Sequence, residues 1–500
     1  MSDTPSAQRP GVGALAAVAA TVFLFALLLR LWGIGTRDLW LDEIYTQFAA
    51  SRDWLGLVDD RVGRGHSPFY FALLKLTGID PSNVAAIRAP SAVFDAGAAA
   101  VLSAGVLRYF GWRSAVLVGA LYVFSPLHIH WAQNARPYGL LMLFTAMGLV
   151  GALGLVASIG RDTVSRVPHW LFLLGWSGAC LTLTGGILTY LVVLSLPWWP
   201  GLRRGALADP AFRRRWIAAQ KVPSVVAFLT YMLVSRLHVV DRIGDYWLQD
   251  RRPFGAESLQ LLVAELATGE VGLTGIGPAA GIVLALLACA VLALIRPGLR
   301  PAAWPVFALG FGVSLVMLAM SLNTSLLTGR YFTPAWMGLL VAAGLGLATL
   351  RPPALMLLSA PLLGLLGAFS AVSATVPSVL RALPPQQIAA LINGTDARHA
   401  PIVADRAVFR ALRMELMLLR LDAPGLPRPQ MHGARGGSRV AERIAEGGVF
   451  FIVASPAEWA ALRAAQEIPS PCVAEIAPWV VVRAGGGPCA APFAAPLAAP

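Results

Sequence analysis

Residues 33–71 read GIGTRDLWLDEIYTQFAASRDWLGLVDDRVGRGHSPFYF, the first long polar interruption between two apolar segments of the chain. Within it an adjacent carboxylate pair, Asp42 and Glu43, directly follows the aromatic and apolar step Leu39–Leu41. The other acidic or histidine side chains of the stretch are Asp38, Asp53, Asp59, Asp60 and His66. Because the flanking runs are long and apolar, this pattern predicts a loop, residues 33–75, that joins two membrane spans.

The composition of the whole chain is typical of a membrane protein. Of its 500 residues, 57% are hydrophobic and only 13% are charged, and the mean hydropathy is +0.67. A water-soluble protein would carry roughly 25% charged residues. Apolar runs of about 20 residues, which recur along this chain, are what helices need to cross a bilayer. The sequence therefore predicts a mainly α-helical, multi-pass membrane protein.

The net charge of +13 comes almost entirely from arginine, since Lys75 and Lys221 are the only lysines. Many arginines stand in short segments between apolar runs, where positive charge sets the orientation of a membrane protein. The densest group, between Arg203 and Lys221, is typical of a cytoplasmic loop that contacts anionic headgroups. The charge thus favours membrane lipids as partners and argues against nucleic acid.

Hydropathy and arginine positions together predict eleven spans, with the N-terminus inside and arginine at each inner loop. The apolar region 170–199 is too long for one helix, so we expect Gly185 and Gly186 to divide it. These spans make residues 1–375 one transmembrane domain with a first external loop at 33–75. The predicted spans are residues 11–31, 84–107, 114–127, 139–159, two within 170–199, 222–234, 277–295, 303–320, 332–350 and 354–374.

A change of composition after residue 375 predicts a second, small α/β domain over residues 376–485, on the outer side. Its sequence alternates apolar runs with helical patterns, as buried strands and covering helices do. Cys472 and Cys489 can form a disulfide if this end lies outside the cytoplasm. Residues 486–500 are rich in Gly, Pro and Ala and predict a disordered tail. The strand-like runs are PIVA (401–404), VFFIV (449–453) and WVVV (479–482).

The acidic pair has two interpretations. A carboxylate near the membrane surface, shielded by Trp40 and Leu41, has an environment suited to a general base. The same pair fits the N-terminus of an interfacial helix, where carboxylates interact favourably with the helix dipole. Under the predicted topology four polar clusters share the outer side, and they are Asp42 with Glu43, residues 59–70, residues 128–138, and Arg330 with Tyr331.

Arginines at the edges of spans also have two interpretations. Arg136 precedes Tyr138 by two residues at one span start, and Arg330 precedes Tyr331 at another. Such a guanidinium either reaches toward lipid headgroups or grips a phosphate through paired hydrogen bonds. Arg88 lies inside a span near its outer end, where an ionisable residue is by default functional or paired.

Histidine in the outer segments gives a weaker signal. His66, with Tyr70 in the same segment, is a candidate substrate contact. His66, His128 and His130 match no metal-ligand spacing, and a His-x-His pair on an extended external turn is more often structural. We expect no metal site, although a divalent metal is not excluded. No Gly-rich phosphate loop follows any predicted strand, so we expect no nucleotide or other cofactor.

Three stretches, in chain order, resemble the GT-C class of integral-membrane glycosyltransferases, and most closely its protein O-mannosyltransferases, aminoarabinose transferases and lipopolysaccharide-core glycosyltransferases. The first external loop of that class is similar to LWLDEIYTQFAA (39–50) with GHSPFYFALLKL (65–76). The exit of the third span is similar to SPLHIHWAQNARPYGLLML (125–143). A late entry into a span is similar to TGRYFTPAWMGLLVAAG (328–344).

This resemblance implies transfer of a sugar, with inversion, from a polyprenyl-phosphate donor to an acceptor hydroxyl. The reaction would take place on the periplasmic face of a bacterial inner membrane, and the acceptor would be lipid A, lipopolysaccharide core, another cell-envelope glycan or a protein. Asp42 would be the general base, and Glu43 would orient acceptor or sugar. The residues expected at the donor phosphate are Arg136 and Arg330, with hydrogen bonds from Tyr138 and Tyr331.

The chain departs from the pattern of that class at two places. His66-Ser67-Pro68 stands where the class usually has His-Pro-Pro, and residues 184–190 contain no histidine where relatives often carry one. Two other functions stay open. A transporter or lipid flippase would use Arg88 as a midplane site, but no inverted repeat is visible and the polar residues cluster in loops. A non-catalytic membrane assembly protein could use the same scaffold.

Overall fold

The computed structural model divides the chain into two compact units. The first contains residues 1–34 and 52–376, and the second contains residues 35–51 and 377–500. The segment 35–51, from the first predicted loop, thus groups with the C-terminal part of the chain. The structure describes residues 10–37, 39–81, 83–161, 165–199, 202–237, 254–269, 276–323, 326–375, 385–405, 408–409, 412–413, 415–416, 430–433, 438–477, 479–486, 488–489 and 493.

Helices follow the apolar runs of the sequence through the first unit, and of the helices before residue 376 only α2 belongs to the second unit. The described helices are α1 (Val12–Leu31), α2 (Leu41–Ser51), α3 (Trp54–Gly63), α4 (Phe69–Leu76), α5 (Val84–Phe110), α6 (Trp112–Val123), α7 (Pro126–Ala132), α8 (Tyr138–Val156), α9 (Val167–Thr182), α10 (Thr184–Leu194), α11 (Arg203–Ala208), α12 (Pro210–Leu237), α13 (Ala256–Thr268), α14 (Ile276–Ile295), α15 (Arg300–Phe307), α16 (Val313–Ser321), α17 (Gly329–Ala348) and α18 (Pro352–Thr375). One π-helical turn, Ala308–Gly312, joins α15 to α16.

Eight stretches of the described helices are long and apolar enough to cross a membrane, and the bent pair α6 and α7 would make a ninth. A spanning helix needs about 20 residues, whereas α9 and α10 have 16 and 11. Helices therefore occupy the predicted spans, but the predicted count of eleven is not confirmed. The eight stretches are α1, α5, α8, α14, α17, most of α12 and α18, and Ala302–Ser321.

The predicted third span is bent into two helices, α6 and α7, which meet at 57°. Pro126, the first residue of α7, has no N–H with which to continue the hydrogen bonding of α6. The prediction of an extended turn around His128 and His130 is wrong, whereas their position on the outer side stays a prediction. Both residues lie within α7, and each is 1% exposed, because this short helix is buried on every side.

The chain breaks between α9 and α10 at Leu183, whose φ of −155° and ψ of 147° are those of an extended strand. The break thus comes just before the predicted division at Gly185 and Gly186. Gly186 has a packing role instead. A Cβ added there would lie 2.1 Å from the Ala179 carbonyl oxygen, so α10 can fold back on α9 only with glycine at this position.

A buried ion pair joins α1 to α5. Arg30 donates from Nε to the Asp95 carboxylate at 2.5 Å, and the two side chains are 0% and 1% exposed. Tyr122 of α6 donates to the other oxygen of Asp95 at 2.7 Å. Gln133, just beyond α7, donates to the backbone oxygen of Arg30 at 3.2 Å. These bonds hold the ends of α1 and α7 in place, next to the segment that contains Arg136.

The second unit contains α2 and a five-stranded mixed sheet. The strand order is β2-β1-β3-β5-β4, with β1 parallel to β2 and β3, and β5 antiparallel to β3 and β4. Three of these strands lie on the predicted apolar runs. The described elements are α19 (Pro385–Asn393), β1 (Ile402–Ala404), β2 (Met431–Gly433), α20 (Ser438–Glu446), β3 (Phe450–Ala454), α21 (Pro456–Ala465), β4 (Cys472–Ile476) and β5 (Trp479–Ala484).

Two features of the second unit bear on its stability. Cys472 and Cys489 form a disulfide with their Cα atoms 5.4 Å apart. Ser455 caps the start of α21, and burial raises the pKa of Glu458 in its first turn to about 7. A hydrogen bond with Asp405, just after β1, and the charge of that carboxylate also contribute to this rise. Most of the predicted tail, residues 486–500, lies outside the described residues.

Candidate active site

Helix α3 carries a buried acidic residue and a buried basic residue at its end. Its start is fixed by Asp53, whose side chain accepts a hydrogen bond from the Gly56 N–H at 2.9 Å. Asp60 is 9% exposed and Arg61 only 1% exposed. Arg61 donates from Nε to the Asp60 carboxylate at 2.8 Å, and Arg64 donates to it at 3.0 Å. The Asp60 carboxylate thereby holds two guanidinium groups close together.

The guanidinium of Arg61 shares the ring of Phe71, in α4, with the guanidinium of Arg136. Their Cζ atoms lie 4.8 Å and 5.9 Å from the ring centroid. Arg136 is also buried, at 5% exposure. An aromatic face attracts cations, and here it holds two of them in one place. Arg136, predicted from the sequence to bind phosphate, therefore lies beside a second arginine, Arg61, for which the sequence predicted no role.

The pKa values of Arg61 and Asp60 reflect both burial and the neighbouring charges. Burial lowers the pKa of Arg61 to about 10, with Asp60 opposing this change and the charges of Arg136 and Arg64 adding to it. Burial acts to raise the pKa of Asp60, but the charges and hydrogen bonds of Arg61 and Arg64 outweigh it and hold that pKa below its usual value. The Asp60 carboxylate thus binds Arg61 and Arg64, and Arg136 adds a further guanidinium charge close to Arg61, an arrangement that favours an additional anion.

The backbone of Arg136 is held in place by a hydrogen-bonded chain of two hydroxyl groups. The Tyr70 hydroxyl lies 2.8 Å from Ser91 Oγ, which donates to the Arg136 backbone oxygen at 2.9 Å. Gly139 permits this close packing, since a Cβ there would lie 2.3 Å from the Ser91 carbonyl oxygen. Tyr138 is 4% exposed. Tyr70, predicted as a substrate contact, is only 1% exposed and lies where it supports Arg136.

Arg330 and Tyr331 open helix α17, and the Arg330 guanidinium lies 5.0 Å from the Tyr331 ring centroid. The Gly329 N–H at this helix start donates to the carboxylate of Glu265 in α13. Gly329 also faces α7, because a Cβ there would lie 2.9 Å from Leu127 Cδ1. The start of α17 is therefore held against α7, the helix that leads to Arg136.

Arg88 and His66 both lie between Arg61 and Arg136 in the chain. Arg88, 2% exposed, donates to the Ile34 carbonyl at 2.8 Å and so fastens the segment that follows α1. This paired arrangement is one of the two that the sequence predicted for Arg88. The backbone N–H of His66 donates to the Arg61 carbonyl at 2.9 Å, and Ser67 Oγ donates to the Leu181 carbonyl of α9. His66 is thus fixed directly beyond the end of α3.

Asp42 and Glu43 occupy the first turn of α2, in the second unit. Glu43 is fully buried, and its Oε2 accepts a hydrogen bond from the Trp40 N–H at 3.4 Å. This bond, made to the residue just before α2, stabilises the start of the helix. A structural role at a helix N-terminus is the alternative to catalysis that the sequence offered for the pair. Asp42 is half-buried. Its partnership with Arg136 and Arg330, which belong to the first unit, stays a prediction.

Two contributors to the site carried weak sequence signals. Arg61 stands in the run Asp59-Asp60-Arg61 on an amphipathic helix, where charged residues usually face solvent. Glu265 lies 64 residues before the helix start that it caps, so local spacing gives no hint of the contact. Among the described residues, no three His, Cys, Asp or Glu side chains form a group that could hold a metal ion.

Comparison with solved structures identifies the fold. This chain is similar to the structure of the aminoarabinose transferase ArnT from Cupriavidus metallidurans. The match covers 93% of this chain and 98% of the ArnT chain, at 17% identity and a TM-score of 0.58. The chain has the GT-C fold. No protein-family model and no curated protein sequence matches it.

A second GT-C glycosyltransferase, the oligosaccharyltransferase of Archaeoglobus fulgidus, is also similar, over 92% of this chain and 72% of its own. Its identity is 10% and its TM-score 0.57. ArnT bound to undecaprenyl phosphate matches over 95% of this chain at 15% identity, with a TM-score of 0.55. At these low identities the likeness establishes the fold, and the expected GT-C architecture is confirmed.

Proposed function

We propose that this chain is a membrane glycosyltransferase that moves a sugar from a polyprenyl-phosphate donor to an acceptor hydroxyl. The observation that carries the proposal is the pair of buried guanidinium groups, Arg61 and Arg136, on the ring of Phe71. Arginine binds phosphate through paired, charge-assisted hydrogen bonds. A GT-C relative, ArnT, has been solved with undecaprenyl phosphate bound, which supports the same class of donor lipid here.

The proposed reaction is a single displacement with inversion at the anomeric carbon. The acceptor oxygen forms a bond to that carbon while the bond from the carbon to the phosphate oxygen breaks. Asp42 accepts the acceptor's hydroxyl proton as general base. The bonding electrons leave with the phosphate, which stays on its polyprenyl chain. Arg61, Arg136 and Arg330 stabilise the negative charge that grows there, the largest electrostatic demand of the step.

The proposed location is a bacterial inner membrane with the active site and the C-terminal domain in the periplasm. The disulfide between Cys472 and Cys489 supports an oxidising compartment for the second unit. That unit also contains Asp42, so the base would lie on the same side. Lipid A, lipopolysaccharide core, another envelope glycan and a protein are the candidate acceptors.

The test compares glycolipids and polyprenyl-phosphate sugars, by mass spectrometry, in cells that make the wild-type chain, Asp42→Asn or Asp59→Asn. Asp59 is an exposed carboxylate on α3 and serves as the matched control. We expect the wild type and Asp59→Asn to consume a lipid-linked sugar and yield a glycosylated acceptor, and Asp42→Asn to yield none. An Asp42→Asn variant with wild-type product levels would show that Asp42 is not the base.

The phosphate assignment has its own test. Arg61→Gln and Arg136→Gln should each lower the turnover of the donor by roughly 10²–10³-fold, as the loss of a group that stabilises developing charge does. Movement of lipid-linked sugar across the bilayer without any glycosylated product would instead favour a transporter. Unchanged turnover in both arginine variants would refute the assignment.

A further inference from the structure

A large cavity opens between helices α1, α5, α8 and α9 of the first unit. Its volume is about 1060 Å³, and most of its lining is aliphatic. Gly105 and Val150 close part of its wall, where a Cβ on the glycine would lie 2.4 Å from Val150 Cγ2. The apolar lining residues include Val12, Leu15, Val101, Ala104, Val150 and Leu153. Such a lining suits a hydrocarbon chain.

Two arginines, Arg108 and Arg161, also line this cavity. Arg108 is half-buried near the end of α5, and Arg161 is exposed just beyond α8. The backbone at Arg161 is held in place by Arg215 of α12, which donates to the Ser158 carbonyl at 3.0 Å and to the Arg161 carbonyl at 3.3 Å. The cavity thus combines an aliphatic interior with positive charge on a fixed segment of backbone.

The cavity lies at the other end of α8 from the arginine pair of the candidate active site. Helix α8 begins at Tyr138, two residues after Arg136, and ends at Val156, which lines the cavity. At about 1.5 Å per residue these two ends are roughly 27 Å apart, close to the thickness of the hydrocarbon core. A ligand in the cavity would therefore occupy the opposite leaflet from the proposed donor phosphate.

We infer that the cavity binds an anionic glycerophospholipid, with an acyl chain among the aliphatic side chains and the phosphate between Arg108 and Arg161. Basic pockets between membrane helices bind anionic headgroups, and each arginine near the surface contributes about a fivefold gain in affinity. A zwitterionic lipid would bring its own positive charge close to both guanidinium groups. The site should therefore distinguish lipids by headgroup charge.

The test is native mass spectrometry of the full chain released from nanodiscs of equal parts phosphatidylglycerol and phosphatidylcholine. We expect wild type to retain phosphatidylglycerol, and Arg108→Gln with Arg161→Gln to retain roughly 25-fold less of it. The control, Arg166→Gln with Arg351→Gln, removes two exposed arginines that do not line the cavity. Ala104→Leu, which fills the cavity without changing charge, should also lower retention.

Three results would overturn the inference. The first is equal loss of phosphatidylglycerol in the cavity double variant and in the control. The second is retention of phosphatidylcholine as strong as that of phosphatidylglycerol. The third is displacement of the retained lipid by undecaprenyl phosphate at equal concentration, because the cavity would then serve a polyprenyl lipid rather than a glycerophospholipid.

Discussion

Replacing Asp60 by asparagine removes the carboxylate that binds Arg61 and Arg64 in the candidate active site. Arg61, 1% exposed, would keep its charge next to Arg136 without that compensation. Removal of one partner from a buried ion pair costs about 3–5 kcal/mol. The bond to Arg64, whose side chain is 36% exposed, adds at most about 1 kcal/mol. We therefore expect Asp60→Asn to lower the free energy of unfolding by about 3 kcal/mol.

The same substitution should improve the binding of a lipid phosphate, because the competing carboxylate is gone. A ligand at a hundred times its Kd adds about 2.7 kcal/mol to the stability of the folded state. Undecaprenyl phosphate at that level should therefore restore most of the loss. The assay is thermal unfolding of the purified chain in detergent, with and without undecaprenyl phosphate.

Asp59→Asn is the matched control, because Asp59 is the neighbouring, exposed carboxylate on the same helix. It should leave Tm unchanged, whereas Asp60→Asn should lower Tm by roughly 6 °C at about 2 °C per kcal/mol. Equal Tm values for the two variants would refute the structural reasoning. A smaller stabilisation of Asp60→Asn than of wild type by undecaprenyl phosphate would refute the proposal that the cluster binds phosphate.

Three further predictions concern other parts of the structure. Ser91→Ala removes the bond to the Arg136 backbone and should lower the free energy of unfolding by about 1–3 kcal/mol, measured by thermal unfolding, and should also weaken donor binding, measured as Kd. Asp95→Asn leaves Arg30 buried and unpaired and should lower the unfolding free energy by about 3–5 kcal/mol, and Arg30→Met in addition should restore much of it. Because the folded-state pKa of Glu458 is raised to about 7 from 4.5, its contribution to stability is present below pH 4.5 and lost as pH rises through 7. Glu458→Gln should flatten that pH dependence in thermal unfolding of the second unit.

The sequence predicted those features that depend on local composition. The first predicted span, residues 11–31, differs by one residue from α1, because the apolar run begins at Gly11, the helix N-cap, and stops just before Trp32 and Gly33, where the helix also ends. The strand predicted at 401–404 likewise contains β1, Ile402–Ala404. In both cases burial is encoded by the segment itself, independently of its partners.

Features that depend on partners far apart along the chain could not be predicted from the sequence. Arg61 and Arg136 meet on Phe71 across 75 residues of chain, and nothing in the spacing of either arginine indicates the other. The His128 segment was predicted as an extended external turn because its histidines, glutamine and asparagine are polar. His128 and His130 lie in the buried helix α7 instead, where His128 contacts the Ser125 hydroxyl, and Gln133 just beyond the helix donates to the Arg30 backbone.

The division of the chain into units has a consequence for biosynthesis. Residues 35–51 leave the ribosome early, but the rest of their unit begins only at residue 377. At about 5–20 residues per second, synthesis of the intervening segment takes roughly 15–65 s. Throughout that time α2 exists without the rest of the unit whose contacts it shares. The proposed base at Asp42 would therefore be completed last, when the chain is whole, so a nascent or truncated chain would insert its spans but could not yet transfer a sugar.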